Sequence, residues 1–208
     1  SFVSGLFVIP LLKRIKCGQP ILKYVETHKD KSGTPTMGGL FFVLSAAVVY
    51  IAFGGYAGKL GIVSLSIGLS YMLVGFLDDF IKIKTHKNEG LKPYQKIVFQ
   101  GLIAIFAGVF SYYNGITEFF IPFTVGSVNL GFWAIPFIAF IFLAITNSVN
   151  LTDGLDGLAG SVSAVYLVFI VVLIVLESGV LMVGEIPAEY QNLILLSICL
   201  IGAIIGFL

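Results

Sequence analysis

Long apolar runs alternate along this chain with short clusters of glycine, proline and charge. Apolar segments lie near residues 37–53, 60–77, 97–113, 132–147, 157–176 and 192–208, and a further one ends near Leu12. A transmembrane helix needs about 20 apolar residues and a barrel strand only about 10. Lipid offers the backbone no hydrogen-bond partner, so runs of this length satisfy themselves as helices. The pattern predicts an all-α fold, a polytopic transmembrane helix bundle with about seven membrane segments. No internal repeat and no separate soluble stretch interrupts it, so residues 1–208 are read as one integral membrane domain. The first residues are apolar without a Met, and the last, Phe207-Leu208, are apolar too. The sequence is therefore read as part of a longer protein.

Composition supports the membrane reading. Charged residues make up 11% of the chain, against about 25% in a soluble domain, and the mean hydropathy is +1.02. The 19 phenylalanines suit lipid-facing surfaces. A net charge of +1 gives no reason to expect a nucleic-acid partner. Cys17 and Cys199 lie far apart without metal or disulfide spacing and are read as two unpaired thiols.

The distribution of charge sets an orientation. Lys13, Arg14, Lys16, Lys23, Lys29 and Lys31 follow the first segment, and Lys82, Lys84, Lys87, Lys92 and Lys96 follow the third. With both regions cytoplasmic, Lys59 alone of the 12 basic residues falls outside. The opposite connections carry Glu118, Glu177, Glu185 and Glu189. Alternation then makes the connections near 13–36, 78–96 and 147–157 face the cytoplasm. Three polar, motif-like regions are thus expected on one membrane face, the cytoplasmic one.

The densest of them is Asn147-Ser-Val-Asn-Leu-Thr-Asp-Gly-Leu-Asp-Gly-Leu-Ala-Gly160. Ionisable groups at the end of a membrane segment are costly and point to function. Asp153 and Asp156 are three apart, which on a helix puts both on one face, and the glycines leave room for close approach of a ligand. Hard oxygen donors of this kind suit Mg²⁺, which takes one or two carboxylates with substrate phosphates and water. A plain cap of the helix that begins here, by Asn150, Thr152 or Asp153, would explain one of these polar residues. Asp78 and Asp79 form the second cluster. Lys82 is placed to pair with both, and the pair alone would also be explained as a solvated helix end. The third, His28 to Gly39, combines cations, hydroxyls and glycines suited to a phosphorylated ligand. It lacks the P-loop order, and Thr34-Pro35 also reads as a helix start. The basic stretch Lys82 to Lys96 suits anionic lipid head groups or topology alone.

Taken in order, these motifs resemble the polyprenyl-phosphate N-acetylhexosamine-1-phosphate transferase family, and within it the phospho-N-acetylmuramoyl-pentapeptide transferase branch. The residues that carry the resemblance are His28 with Lys31 and Gly33-Thr-Pro-Thr-Met-Gly-Gly39, Phe76-Leu-Asp-Asp-Phe80 with Lys82, and Asn147-x-x-Asn-Leu-Thr-Asp-Gly-Leu-Asp-Gly-Leu-Ala159. It implies a homodimeric enzyme of about ten helices, of which about seven lie here. The implied reaction transfers phospho-MurNAc-pentapeptide from UDP-MurNAc-pentapeptide to undecaprenyl phosphate, giving lipid I and UMP with Mg²⁺. Carried over by position, Asp78 deprotonates or orients the lipid phosphate, and Asp79 beside it helps place the metal. Asn147, Asn150, Asp153 and Asp156 form the nucleotide and metal side. Asp156 contacts the uridine, with Gly154 and Leu155 beside it. Lys31 and Thr36 line the cleft, and Lys82 partners the diphosphate. The family's main metal-binding Asp is expected beyond Leu208. Two further readings stay open: a sister transferase that moves GlcNAc-1-phosphate, and a membrane transporter or channel. The second predicts mid-membrane acids and repeats, whereas the acids here stand at segment ends.

Overall fold

The computed structural model describes residues 1–2, 38–85, 90–121, 124, 126–155, 157–177 and 186–208. The first apolar segment, the 13–36 connection, Lys31, Thr36 and Asp156 lie outside the described residues. Among the described residues, six α-helices stand where the hydropathy pattern puts them: α1 Gly38–Ala52, α2 Lys59–Thr85, α3 Pro93–Tyr113, α4 Ala134–Thr152, α5 Leu158–Glu177 and α6 Ala188–Ile205. All but α1 are long and apolar enough to cross a membrane. A short antiparallel hairpin, β1 Glu118–Phe120 with β2 Ser127–Asn129, joins α3 to α4 and pairs Phe119 with Val128.

The chain forms two compact units, residues 1–91 with 155–208, and residues 92–154. In the first, α6 packs on α1, α2 and α5, and α1 packs on α2. Its buried residues include Ala46, Ala47, Tyr50, Val74, Leu196, Ala203 and Ile204. Small residues let the backbones close up, since lipid gives helices no hydrophobic reason to associate. Tyr50 is wholly buried, and a Cβ on Gly61 would fall 2.0 Å from its hydroxyl oxygen. That turn of α2 therefore has room only for glycine.

Glu189, in the first turn of α6, accepts the Leu60 N–H at 3.0 Å. One carboxylate thus serves two helix starts, where unpaired amides and the helix dipole favour negative charge. Helices α2 and α6 consequently begin together and run the same way. From Lys59 to Asp78 the rise is about 28 Å, and from Ala188 to Ile205 about 26 Å. Asp78 is therefore level with the end of α6. At that same end, Phe207 lies against Gly38 at the start of α1, and Leu208 lies against Gly157 and Gly160 at the start of α5. Described parts of all three motif regions thus share one end of this unit.

In the second unit α3 packs on α4 through Ala104, Ala107 and Gly108 against Ala134, Ile138 and Ala139. A Cβ on Gly108 would sit 2.6 Å from the Ile135 carbonyl oxygen, so the two backbones touch there.

Candidate functional site

Helix α2 outruns its apolar stretch. Hydropathy ends the segment near residue 77, but the helix continues to Thr85 and carries Asp78, Asp79 and Lys82 on its last turns. The acids and the lysine sustain the helix that their polarity seemed to end. Lys82 Nζ lies 2.7 Å from Asp78 Oδ2 and 3.2 Å from Asp79 Oδ1, the pairs expected at i, i+4 and i, i+3. Cations in the last turn, here Lys82 and Lys84, also suit the negative end of the helix dipole.

The two neighbouring carboxylates differ. Asp78 is buried, with 6% of its surface exposed. Its Oδ2 meets Lys82, and its Oδ1 accepts the Leu91 N–H at 2.9 Å. Gly90 closes over it: a Cβ there would lie 2.5 Å from Asp78 Oδ1 and 2.7 Å from the Asp78 carbonyl oxygen. Asp79 and Lys82 keep side-chain exposures of 26% and 23%, open to a ligand.

In the other unit, Asn147 lies on α4 and half-buries its carboxamide. Its Nδ2 donates to the Leu143 carbonyl at 2.8 Å and across to Gln100 Oε1 on α3 at 3.1 Å. The Leu143 carbonyl can only accept, which fixes the nitrogen's direction. Gln100 is buried in an apolar helix and belongs to none of the three motifs. A carboxamide inside the apolar 97–113 run is the signal that points to it.

Helix α4 ends at Thr152, and α5 begins at Leu158. Asp153, just past the end of α4, therefore stands on no helical face, and the partner its spacing suggested, Asp156, lies outside the described residues. Gly157, at φ 79° in the left-handed region, is one physical reason for the break. Asp153 caps the end of α4 through its backbone N–H to the Val149 carbonyl at 3.2 Å. Its side chain, like Asn150, Gly154 and Leu155, is exposed. Asp153 thus stands at the end of α4 and not at the start of the helix that follows, and its carboxylate is left exposed.

Among the described residues, no three His, Cys, Asp or Glu side chains gather as a ready metal site. Asp79 and Asp153 remain as accessible single carboxylates. That donor chemistry fits a hard ion such as Mg²⁺, which leans on substrate phosphates for its other ligands.

Residues 60–208, most of the chain, match the model of Glycosyl transferase family 4. The chain belongs to Glycosyl transferase family 4. Residues 31–43 of this family member also match the phospho-N-acetylmuramoyl-pentapeptide-transferase signature 1. Three curated relatives carry the name phospho-N-acetylmuramoyl-pentapeptide-transferase. That from Clostridium novyi (strain NT) is 40% identical over 161 residues, 74% of this chain and 49% of its own length. That from Clostridium botulinum (strain Alaska E43 / Type E3) is 41% identical over 156 residues, 74% and 48%. That from Caldanaerobacter subterraneus subsp. tengcongensis is 41% identical over 156 residues, 74% and 49%. The chain spans about half the length of the curated relatives it matches. Within this family member, the signature runs into the start of α1, beside the end of α6.

Proposed function

We propose that this chain is part of a phospho-N-acetylmuramoyl-pentapeptide transferase of peptidoglycan synthesis. The protein is a homodimer in the bacterial plasma (inner) membrane, with its active site on the cytoplasmic face. It transfers phospho-MurNAc-pentapeptide from UDP-MurNAc-pentapeptide to undecaprenyl phosphate, giving lipid I and UMP. The signature over residues 31–43 carries this reading, because it favours the muramoyl donor over the GlcNAc donor of sister enzymes. The shared end of α1, α2 and α5, with its charged cluster, supports it.

An oxygen of the lipid phosphate attacks the β-phosphorus in line. The bond from that phosphorus to the bridging oxygen breaks, and UMP leaves with the oxygen. Both reactants are anions, so catalysis is mainly positioning and charge stabilisation. Lys82 places a cation for the diphosphate, with Lys31 assisting and Thr36 lining the cleft. Asn147, Asn150, Gly154, Leu155 and Asp156 serve the nucleotide side. Mg²⁺, when bound, supplies charge neutralisation on phosphate oxygens. Its carboxylate ligands are drawn from Asp79 and Asp153, with a further Asp from the longer protein. Both oxygens of Asp78 are engaged, which supports direct attack over a phospho-enzyme on that side chain.

The test uses the complete protein with both UDP-sugars and undecaprenyl phosphate. UMP release and lipid I formation are expected with UDP-MurNAc-pentapeptide only, lost with EDTA and restored by Mg²⁺. Asp153→Asn is expected to abolish turnover without loss of expression. Equal use of UDP-GlcNAc, or wild-type turnover by Asp153→Asn, refutes the assignment.

A further inference from the structure

We propose that Asp78 is a positioning residue, whose carboxylate clamps the Gly90–Leu91 backbone on one oxygen and Lys82 on the other. By this clamp it presents the Lys82 ammonium and the open Asp79 carboxylate to a phosphate-bearing ligand. The inference rests on the proposed transferase reading and departs from a proton-accepting role for Asp78.

Three observations carry it. First, Asp78 is the buried member of the pair, and both its oxygens are engaged, at 2.7 Å by Lys82 Nζ and at 2.9 Å by the Leu91 N–H. A buried carboxylate is tolerated when it is paired and hydrogen-bonded in this way. Second, Gly90 has no side chain where one would strike Asp78 Oδ1 and the Asp78 carbonyl, both under 3 Å. The backbone after α2 is therefore held against the carboxylate, and position 90 admits only hydrogen. Third, Lys82 is shared: its second contact, 3.2 Å, is to Asp79, whose side chain remains accessible. Asp78 fixes the ammonium from behind while Asp79 stays in front. A cation on a flexible four-carbon stem gains most from such fixing, because lost side-chain entropy is then not charged to ligand binding.

The experiment measures kcat, KM and the pH–rate profile of the complete enzyme and three variants. Gly90→Ala touches neither charge, yet pushes the backbone off Asp78. Its kcat is expected to fall by about tenfold to a hundredfold, the scale of a 1 Å misplacement. Asp78→Asn keeps an acceptor for Leu91 and drops the ion pair. A similar fall is expected, with the acid limb of the profile retained. In the double variant the two losses overlap rather than multiply, because both act through one clamp. Loss of the acid limb in Asp78→Asn makes Asp78 the base and overturns the proposal. So does multiplication of the two effects, or a wild-type kcat in Gly90→Ala. The Asp78→Asn profile decides by itself if Gly90→Ala does not fold. Asp79→Asn separates the two levels: full activity there defeats the use of this cluster in the reaction. An inactive Asp79→Asn beside a wild-type Gly90→Ala defeats the clamp alone.

Discussion

Replacing Gln100 with Leu removes the one side-chain bond seen to tie Asn147 to a neighbouring helix. The change is nearly isosteric, so it deletes polarity without opening a large cavity. Asn147 keeps its bond to the Leu143 carbonyl at 2.8 Å, so its nitrogen is not left bare. The coupling between the two positions is then that of one interhelical hydrogen bond of 3.1 Å. Such bonds in membrane proteins average about 0.6 kcal/mol and reach about 1.7 kcal/mol. Gln100 is only 5% exposed, which favours a value above the average, and we expect a coupling of about 1 kcal/mol. The assay is a double-mutant cycle of Gln100→Leu and Asn147→Ala, read by reversible unfolding of the complete protein in detergent micelles or bicelles. Turnover is measured alongside, and a loss of about fivefold corresponds to the same energy. If the double variant equals the sum of the singles within about 0.3 kcal/mol, Gln100 does not hold Asn147, and the reasoning fails.

Tyr50→Phe is expected to leave stability unchanged or raised by about 1 kcal/mol, because the buried hydroxyl has no partner among the described residues. A loss above about 1 kcal/mol in the same unfolding assay would reveal a bond to that oxygen. Lys59→Ala, about 28 Å along α2 from Asp78, is expected to retain near wild-type turnover. A large loss would overturn the orientation drawn from the lysine distribution.

Most of the fold was legible because lipid imposes a simple rule on sequence. Segments 37–53, 60–77, 97–113, 132–147, 157–176 and 192–208 all carry helices, since apolar length alone specifies a membrane helix. The helix ends were less legible, because hydropathy measures polarity and not hydrogen bonding. Helix α2 runs past Leu77 on its own ion pairs. Helix α3 starts earlier, at Pro93, where the Lys92 N–H donates to Gln95 Oε1 at 3.0 Å. The hairpin at 118–120 and 127–129 was missed, as three-residue strands are too short for alternation to register. In the candidate site, residue types were readable and geometry was not. Asp78 and Asp79 are adjacent letters, yet one is sealed and the other open. That difference comes from Gly90 and Leu91, twelve or more positions along the chain.

Glu189 has a consequence at the opposite end of its helix. Its carboxylate holds the Leu60 N–H at 3.0 Å, which registers α6 against α2 along their length. A piston slide of one helical turn, about 5.4 Å, would tear that bond apart. A motion that admits a ligand near Asp79 and keeps that bond is a pivot about the Glu189 end, not a slide. A pivot moves the far end most, so a small tilt at the Glu189 end becomes the largest displacement at the end where α1, α2 and α5 bring their motifs.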